Sequence, residues 1–196
     1  MQKAETALAS LQESDLPVLR KAHREWWHNY YPQSFVSLPD KKMENFYWAQ
    51  MYKLASATRT GGGLLDNSGP WQVLTPWPNA WWNLNVQLSY WSVYPSNRLE
   101  LGMPLVDAIG NNLDNLINNV PEPYRKDAAA LPVATDFTLT GATVNVPGTE
   151  KKAQVGNLTW ICHNLWLQYR FSMDESILRN TLYPTCLLYT SPSPRD

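Results

Sequence analysis

The residues best suited to chemistry are two asparagines, Asn83 and Asn85, inside the segment WPNAWWNLNVQLSYWSVYPSNRLE that spans residues 77–100. In an extended segment, residues two apart share a face, so the two amides would point the same way. Each amide oxygen can accept from a water, and each NH2 can donate to a sugar hydroxyl or a carboxylate. An amide cannot take up a proton at neutral pH, so the pair can orient a water but cannot act as a general base. The competing use is local: asparagine is a favoured N-cap, and a helix starting near Leu84 would need one. Around the pair stand Trp71, Trp77, Trp81 and Trp82, whose flat apolar faces suit stacking against a ring-shaped ligand. Core packing is the alternative for each. Trp26, Trp27, Trp48 and Trp166 fall on helical stripes and are expected in the core.

The elements that position these residues read as helices. Ser14 or Asp15 offers an N-cap and Pro17 an early helical position, followed by Leu19, Ala22, Trp26 and Tyr30 at spacings of three and four. From Lys41 to about Thr60 the stripe is Met43, Tyr47, Met51 and Leu54. A third helix over Leu84 to Tyr94 carries Leu84, Leu88 and Trp91. A fourth carries Leu105, Ile109, Leu113, Leu116 and Val120 and stops before Pro121 and Pro123. A fifth holds Trp160, His163, Leu167 and Phe171, and a short sixth follows Asp174 with Ile177, Leu178 and Leu182. Two long irregular stretches interrupt them, Gly61 to Trp82 and Ala128 to Gly156. The second contains TDFTLTGATVNV, whose alternation predicts a small β-hairpin. Loops this long in a compact domain tend to be functional. Helix pairs separated by long loops suit a toroid whose loops crowd one rim.

Composition narrows the function classes. Sixteen basic residues against 17 acidic ones leave a net charge of −1, which gives no support for a nucleic-acid or anionic-membrane partner. No apolar run approaches a membrane span, and the opening MQKAETALASLQESD lacks a signal-peptide core. Ten Trp and ten Tyr stand against four Phe, which favours a wet, ring-shaped ligand. His23, His28 and His163 are too dispersed for a metal motif, and with Cys162 they make no zinc pattern, so neither metal nor cofactor is expected. Cys162 is expected as a small core hydrophobe. Gly61, Gly62 and Gly63 lack the rest of a P-loop and read as a helix end plus turn. The last eleven residues, CLLYTSPSPRD from Cys186 to Asp196, break the helical pattern and look like in-frame read-through of a transposase-type sequencing adaptor. The native part is therefore expected over residues 1–185, with 186–196 non-native.

NLNVQLSYW (Asn83 to Trp91) followed by SNRLELGMPL (Ser96 to Leu105) resembles the family 95 glycoside hydrolases, six-hairpin glycosidases of α-L-fucosidase type. LTWICHNLWLQYRFSMDESILRNTLYP (Leu158 to Pro184) is similar to a later helix pair of that family. Weaker echoes lie at HREWWHNYY (His23 to Tyr31) and FYWAQMYKLASATR (Phe46 to Arg59), all in family order. The resemblance implies an all-α fold, a partial (α/α)6 toroid over residues 1–185. It also implies hydrolysis of terminal α-L-fucose or a related sugar with inversion. Inversion requires a carboxylic acid on the leaving oxygen and a base on the opposite face, roughly 6.5–9.5 Å apart to leave room for water. By motif position Asn83 and Asn85 hold that water, and Trp71, Trp77 and Trp82 contact substrate. The general acid and base are expected beyond Pro184, so this chain alone is expected to be inactive. Ser89 stands where the family's run usually has Asn, which opens the sugar specificity to other deoxy or L-sugars. Glu100 matches an acidic family position but reads as structural.

The implied partner is an oligosaccharide or polysaccharide, and the implied location is periplasmic or extracellular. A different class of function fits the same residues: a non-catalytic carbohydrate-binding or scaffolding helical protein that keeps the Trp-lined cleft. A helical repeat protein using its aromatics only for packing is the plainest reading.

Overall fold

A computed structural model describes residues 2–65, 67, 69, 71, 80–140 and 156–189, with backbone alone for 2–4 and 189. The chain divides into two compact units, Met1–Pro39 and Asp40–Asp196. The first holds α1 (Gln2–Ala9), a 3-10 turn at Glu13–Asp15, α2 (Leu16–Tyr30) and a second 3-10 turn at Tyr31–Gln33. Pro17 sits in the first turn of α2, where its missing N–H goes unneeded. Asp15 precedes α2, but its carboxylate turns back to accept from the Gln12 N–H at 2.9 Å. Trp26 stacks on Tyr30 with centroids 5.1 Å apart, and Trp27 on Tyr31 at 5.5 Å. Both tryptophans remain half-buried rather than in the core.

The second unit begins with α3 (Lys41–Ala57), capped by Asp40, whose carboxylate accepts from the N–H groups of Lys42 and Met43. α3 ends at Ala57 with Thr58 extended, so the glycine run does not end the helix but turns the chain beyond it, with Gly61 at a φ of 75° and the Gly62 N–H donating to Arg59 O. There follow β1 (Ala80–Trp81), α4 (Asn85–Trp91), a 3-10 turn at Leu99–Gly102, α5 (Met103–Gly110) and α6 (Leu113–Asn118). Then come β2 (Ala134–Thr135), α7 (Asn157–Ser172), α8 (Glu175–Ile177) and α9 (Tyr183–Tyr189). The architecture is all-α apart from the two short strands. Among the described residues no helix is long and apolar enough to cross a membrane.

Four particulars differ from the sequence expectation. The helix expected from Leu105 to Val120 is broken at Asn111–Asn112, because the Gly110-Asn111-Asn112 run is poor in helix formers and asparagine amides compete for backbone carbonyls. The Asn112 amide indeed donates to Ala108 O at 2.8 Å. β2 pairs not with a neighbour in its own loop but antiparallel with β1, Ala80 facing Thr135 and Trp81 facing Ala134. Residues 141–146, the other arm of the expected hairpin, lie outside the described residues. The sixth helix runs from α8 through a π-type segment, Leu178–Leu182, into α9. Pro184 lacks an N–H and crowds the preceding turn, and a widened turn relieves that conflict. α9 extends to Tyr189, so residues 186–189 of the tail continue this helix, while 190–196 lie outside the described residues.

The fourth difference concerns which faces are buried. On α4 the expected stripe of Leu84, Leu88 and Trp91 is more than two-fifths exposed at each position, while Val86, Gln87 and Tyr90 are buried. On α7 the core face is Leu158, Ile161, Cys162 and Leu165, with Asn164 and Gln168 buried beside them. His163 and Phe171 face outward, Trp160 is half-buried, and Trp166, expected in the core, is 44% exposed. The buried amides explain the inversion. Asn164 donates to Gln87 O on α4 at 3.0 Å, and Gln168 donates to Leu99 O at 2.8 Å. These bonds tie α7 to a stretch of chain whose short helices leave carbonyls without helical partners. Burying an amide without such a partner would cost about 1–3 kcal/mol, enough to fix which way the helix rolls.

Candidate functional site

The asparagine pair lies at the junction of β1 and α4, and three contacts hold that junction. The Trp82 N–H donates to Val133 O at 2.7 Å, extending the strand pairing by one residue. The Trp82 indole Nε1–H donates to Thr135 Oγ1 at 2.7 Å. The Gln87 amide, one turn into α4, donates back to Trp82 O. Between these anchors Asn83 and Asn85 are exposed, on either side of Leu84. Leu84, not an asparagine, holds the N-cap position of α4, and no side chain caps that helix. The capping use of the pair is therefore absent. The extended geometry assumed for it is absent too, because Asn83 sits in a turn and Asn85 is the first helical residue.

Beyond Asn85 the same face of α4 continues through Leu88, Ser89 and Ser92, as helical periodicity dictates. The Ser89 hydroxyl donates to Asn85 O at 2.8 Å. Leu88, Ser89 and Ser92, the Gln50–Lys53 turn of α3 and Trp71 line an open cleft of about 420 Å³, and neither asparagine is among its lining residues. Trp71 is 47% exposed. Further back in the chain, the Leu65 N–H donates to the Tyr90 hydroxyl at 2.9 Å. Tyr90 is buried, and burial pushes its hydroxyl above its ordinary pKa, so it stays a neutral hydrogen-bonding group. Among the described residues, no carboxylate lines the cleft.

The other expected contacts are distributed differently. Trp82 is fully buried, with its indole committed to Thr135, so it stacks inside the fold and offers no ring face to a sugar. Trp81 is buried as well. Trp77 lies outside the described residues. Gln50 and Lys53 of α3 were not foreseen as cleft residues. Their signal was only an i, i+3 spacing on an expected helix, with nothing to say which face meets the Trp71 loop.

Elsewhere Asp15, Asp40, Asp136 and Asp174 are engaged structurally. Asp136 accepts from the N–H groups and hydroxyls of both Thr138 and Thr140, closing the turn after β2. Partial burial pushes its carboxyl up, but these four bonds outweigh that and hold it below the usual carboxylate range. Cys162 is buried, and burial pushes its thiol well above the ordinary range, as suits a core residue. Among the described residues, no group of three His, Cys, Asp or Glu is placed to hold a metal ion.

The family model for the glycosyl hydrolase family 95 catalytic domain matches residues 14–188. Alpha-L-fucosidase 2 of Arabidopsis thaliana is 25% identical over 136 residues, which cover 68% of this chain and 16% of that relative. The helix order and the long loops are those of part of an (α/α)6 toroid. The chain belongs to glycosyl hydrolase family 95, as a portion of its catalytic domain.

Proposed function

We propose that this chain carries the water-orienting part of an inverting glycoside hydrolase acting on terminal α-L-fucose or a related sugar. One observation carries the reading: two exposed asparagines sit on an anchored strand–turn–helix junction whose helix leads directly into a cleft walled by Trp71. Exposed amides can hold a water against a sugar ring, and the fixed turn spares the cost of ordering them. The proton transfers need carboxyl groups, and among the described residues the cleft has none. The general acid and base are assigned to chain beyond this one, and the fragment alone is inactive. A polysaccharide or oligosaccharide substrate fits a periplasmic or extracellular enzyme.

The test is turnover of 2′-fucosyllactose and of an aryl α-L-fucoside by this chain and by the complete enzyme. The expected result is none from the chain and an inverted product from the enzyme. Asn83→Ala and Asn85→Ala in the complete enzyme should each lower kcat by about 10²-fold or more, in the range of removing one positioned transition-state contact, with unfolding midpoints unchanged. Turnover by this chain, a retained anomer or an unchanged kcat would overturn the reading. A complete protein that binds such sugars without any turnover would establish the non-catalytic binding alternative instead.

A further inference from the structure

We infer that Thr135 is a positioning residue for the asparagine pair, acting through the buried indole of Trp82, 53 positions away in the chain. This rests on the reading of Asn83 and Asn85 given above. Neither asparagine amide is held by a hydrogen bond among the described residues, so the backbone decides where the amides lie. That backbone leaves β1 through Trp82, the residue immediately before Asn83. Every polar group of Trp82 is engaged. Its N–H donates to Val133 O at 2.7 Å, its carbonyl accepts from the Gln87 amide, and its Nε1–H donates to Thr135 Oγ1 at 2.7 Å. The first two bonds fix the peptide groups on either side of the Trp82 Cα. The third fixes the indole, and three bonds at separate points leave the residue no axis to turn about. The strand pairing cannot do this alone, since Ala80 facing Thr135 and Trp81 facing Ala134 set the backbones but not the indole rotamer.

Thr135 is itself held so that it can serve as this fixed point. It is fully buried, and its hydroxyl donates its one proton to Asp136 O at 2.7 Å, which leaves a lone pair for the indole. A buried indole N–H without an acceptor is costly, so the ring goes where this oxygen is. The segment around Thr135 is tied down on both sides. Before it, Asn157 at the start of α7 donates to Leu131 O at 3.3 Å and Pro132 O at 3.4 Å. After it, Asn115 on α6 donates to Thr138 O and Asn119, just past α6, to Leu139 O, each at 2.8 Å. The Asp136 carboxylate gathers Thr138 and Thr140 between these ties. The segment is thereby braced against α6 and α7, and the Thr135 hydroxyl carries that rigidity to Trp82 and so to Asn83.

The test is made in the complete enzyme with 2′-fucosyllactose, and Asn83→Ala and Asn85→Ala are measured beside it. Thr135→Val keeps the side-chain shape and removes the acceptor. It should lower kcat about tenfold or more, the scale of a misplacement of under about 1 Å. KM should change little, as for a contact felt in the transition state. Thr135→Ser keeps the hydroxyl and should restore most of kcat, a rescue that loss of packing would not show. Trp82→Phe should lose at least as much as Thr135→Val, and the double variant no more than Trp82→Phe alone, because Thr135 acts only through the indole N–H. Should Thr135→Val fail to fold, Trp82→Phe vacates the same bond from the other side and must show the same kcat loss for the proposal to stand. An unchanged kcat, no rescue by serine, or losses that multiply in the double variant would overturn the positioning role. If the asparagine variants still lower kcat, their reading survives that result. Asparagine variants with unchanged kcat would overturn both.

Discussion

Gly102→Ala probes the contact that fixes α7 against the chain entering α5. Gly102 is buried at the end of the 3-10 turn Leu99–Gly102. A Cβ placed there would lie 2.2 Å from Oε1 and 3.0 Å from Cδ of Gln168. Gln168 is 2% exposed and donates to Leu99 O at 2.8 Å, so it has no solvent to swing into. The methyl group must displace it, at about 1–3 kcal/mol for overpacking a filled site. Losing the bond to Leu99 adds about 1 kcal/mol. The expected destabilisation is about 2–4 kcal/mol, read from urea unfolding followed by helical circular dichroism. Gln168→Ala removes the obstacle, so the double variant should be more stable than the sum of the single effects by at least about 1 kcal/mol, as contacting residues show. A loss below about 0.5 kcal/mol for Gly102→Ala, within the range of an ordinary surface change, or strict additivity in the cycle, would refute the proposed packing of α7.

The remaining predictions concern the anchors of the site and the exposed faces. Trp82→Phe removes the indole donor to Thr135 and some buried volume, and should lower stability by about 1–3 kcal/mol; a neutral result in the same unfolding assay would show that the strand junction is held elsewhere. The depressed carboxyl of Asp136 contributes stability that is fully present above its unfolded value, near 3.8, and is lost as pH falls through its folded value. Asp136→Asn should therefore be less stable than the parent at pH 6, with the gap narrowing as the pH falls below the ordinary carboxylate value near 3.8; a gap that stays constant would sink that account. Leu84, Leu88, Trp91, Trp166 and Phe171 are each more than two-fifths exposed, so the isolated chain should associate as its concentration rises. Light scattering after size exclusion checks this, and a monodisperse monomer at all concentrations would contradict it.

The segment that bears Asn83 and Asn85 was singled out by its residue order and its resemblance to family 95, and the helices around it by their periodicity. The use of Trp82 was not legible, since whether an indole meets a ligand or a buried hydroxyl depends on Thr135, 53 positions along the chain. Nor was the conformation of the pair, because the pairing of β1 with β2 ends at the point where α4 begins. For Trp71 the sequence left stacking on a ligand and core packing both open; the ring is 47% exposed, and the residues across the cleft from it come from α3.

Sequence by itself determined the helical class, the extent of α2, α3 and α7 to within a few residues, and the segment that bears the asparagines. These follow from apolar spacing and capping chemistry, which act over one or two turns. Tertiary structure decided which face of α4 and α7 goes inside. Both helices carry large apolar residues around much of their circumference, so their hydrophobic pattern does not single out one roll angle. The choice falls to the amides of Asn164 and Gln168, which cannot be buried without carbonyl partners and find them at Gln87 and Leu99, elements separated from α7 by about seventy residues.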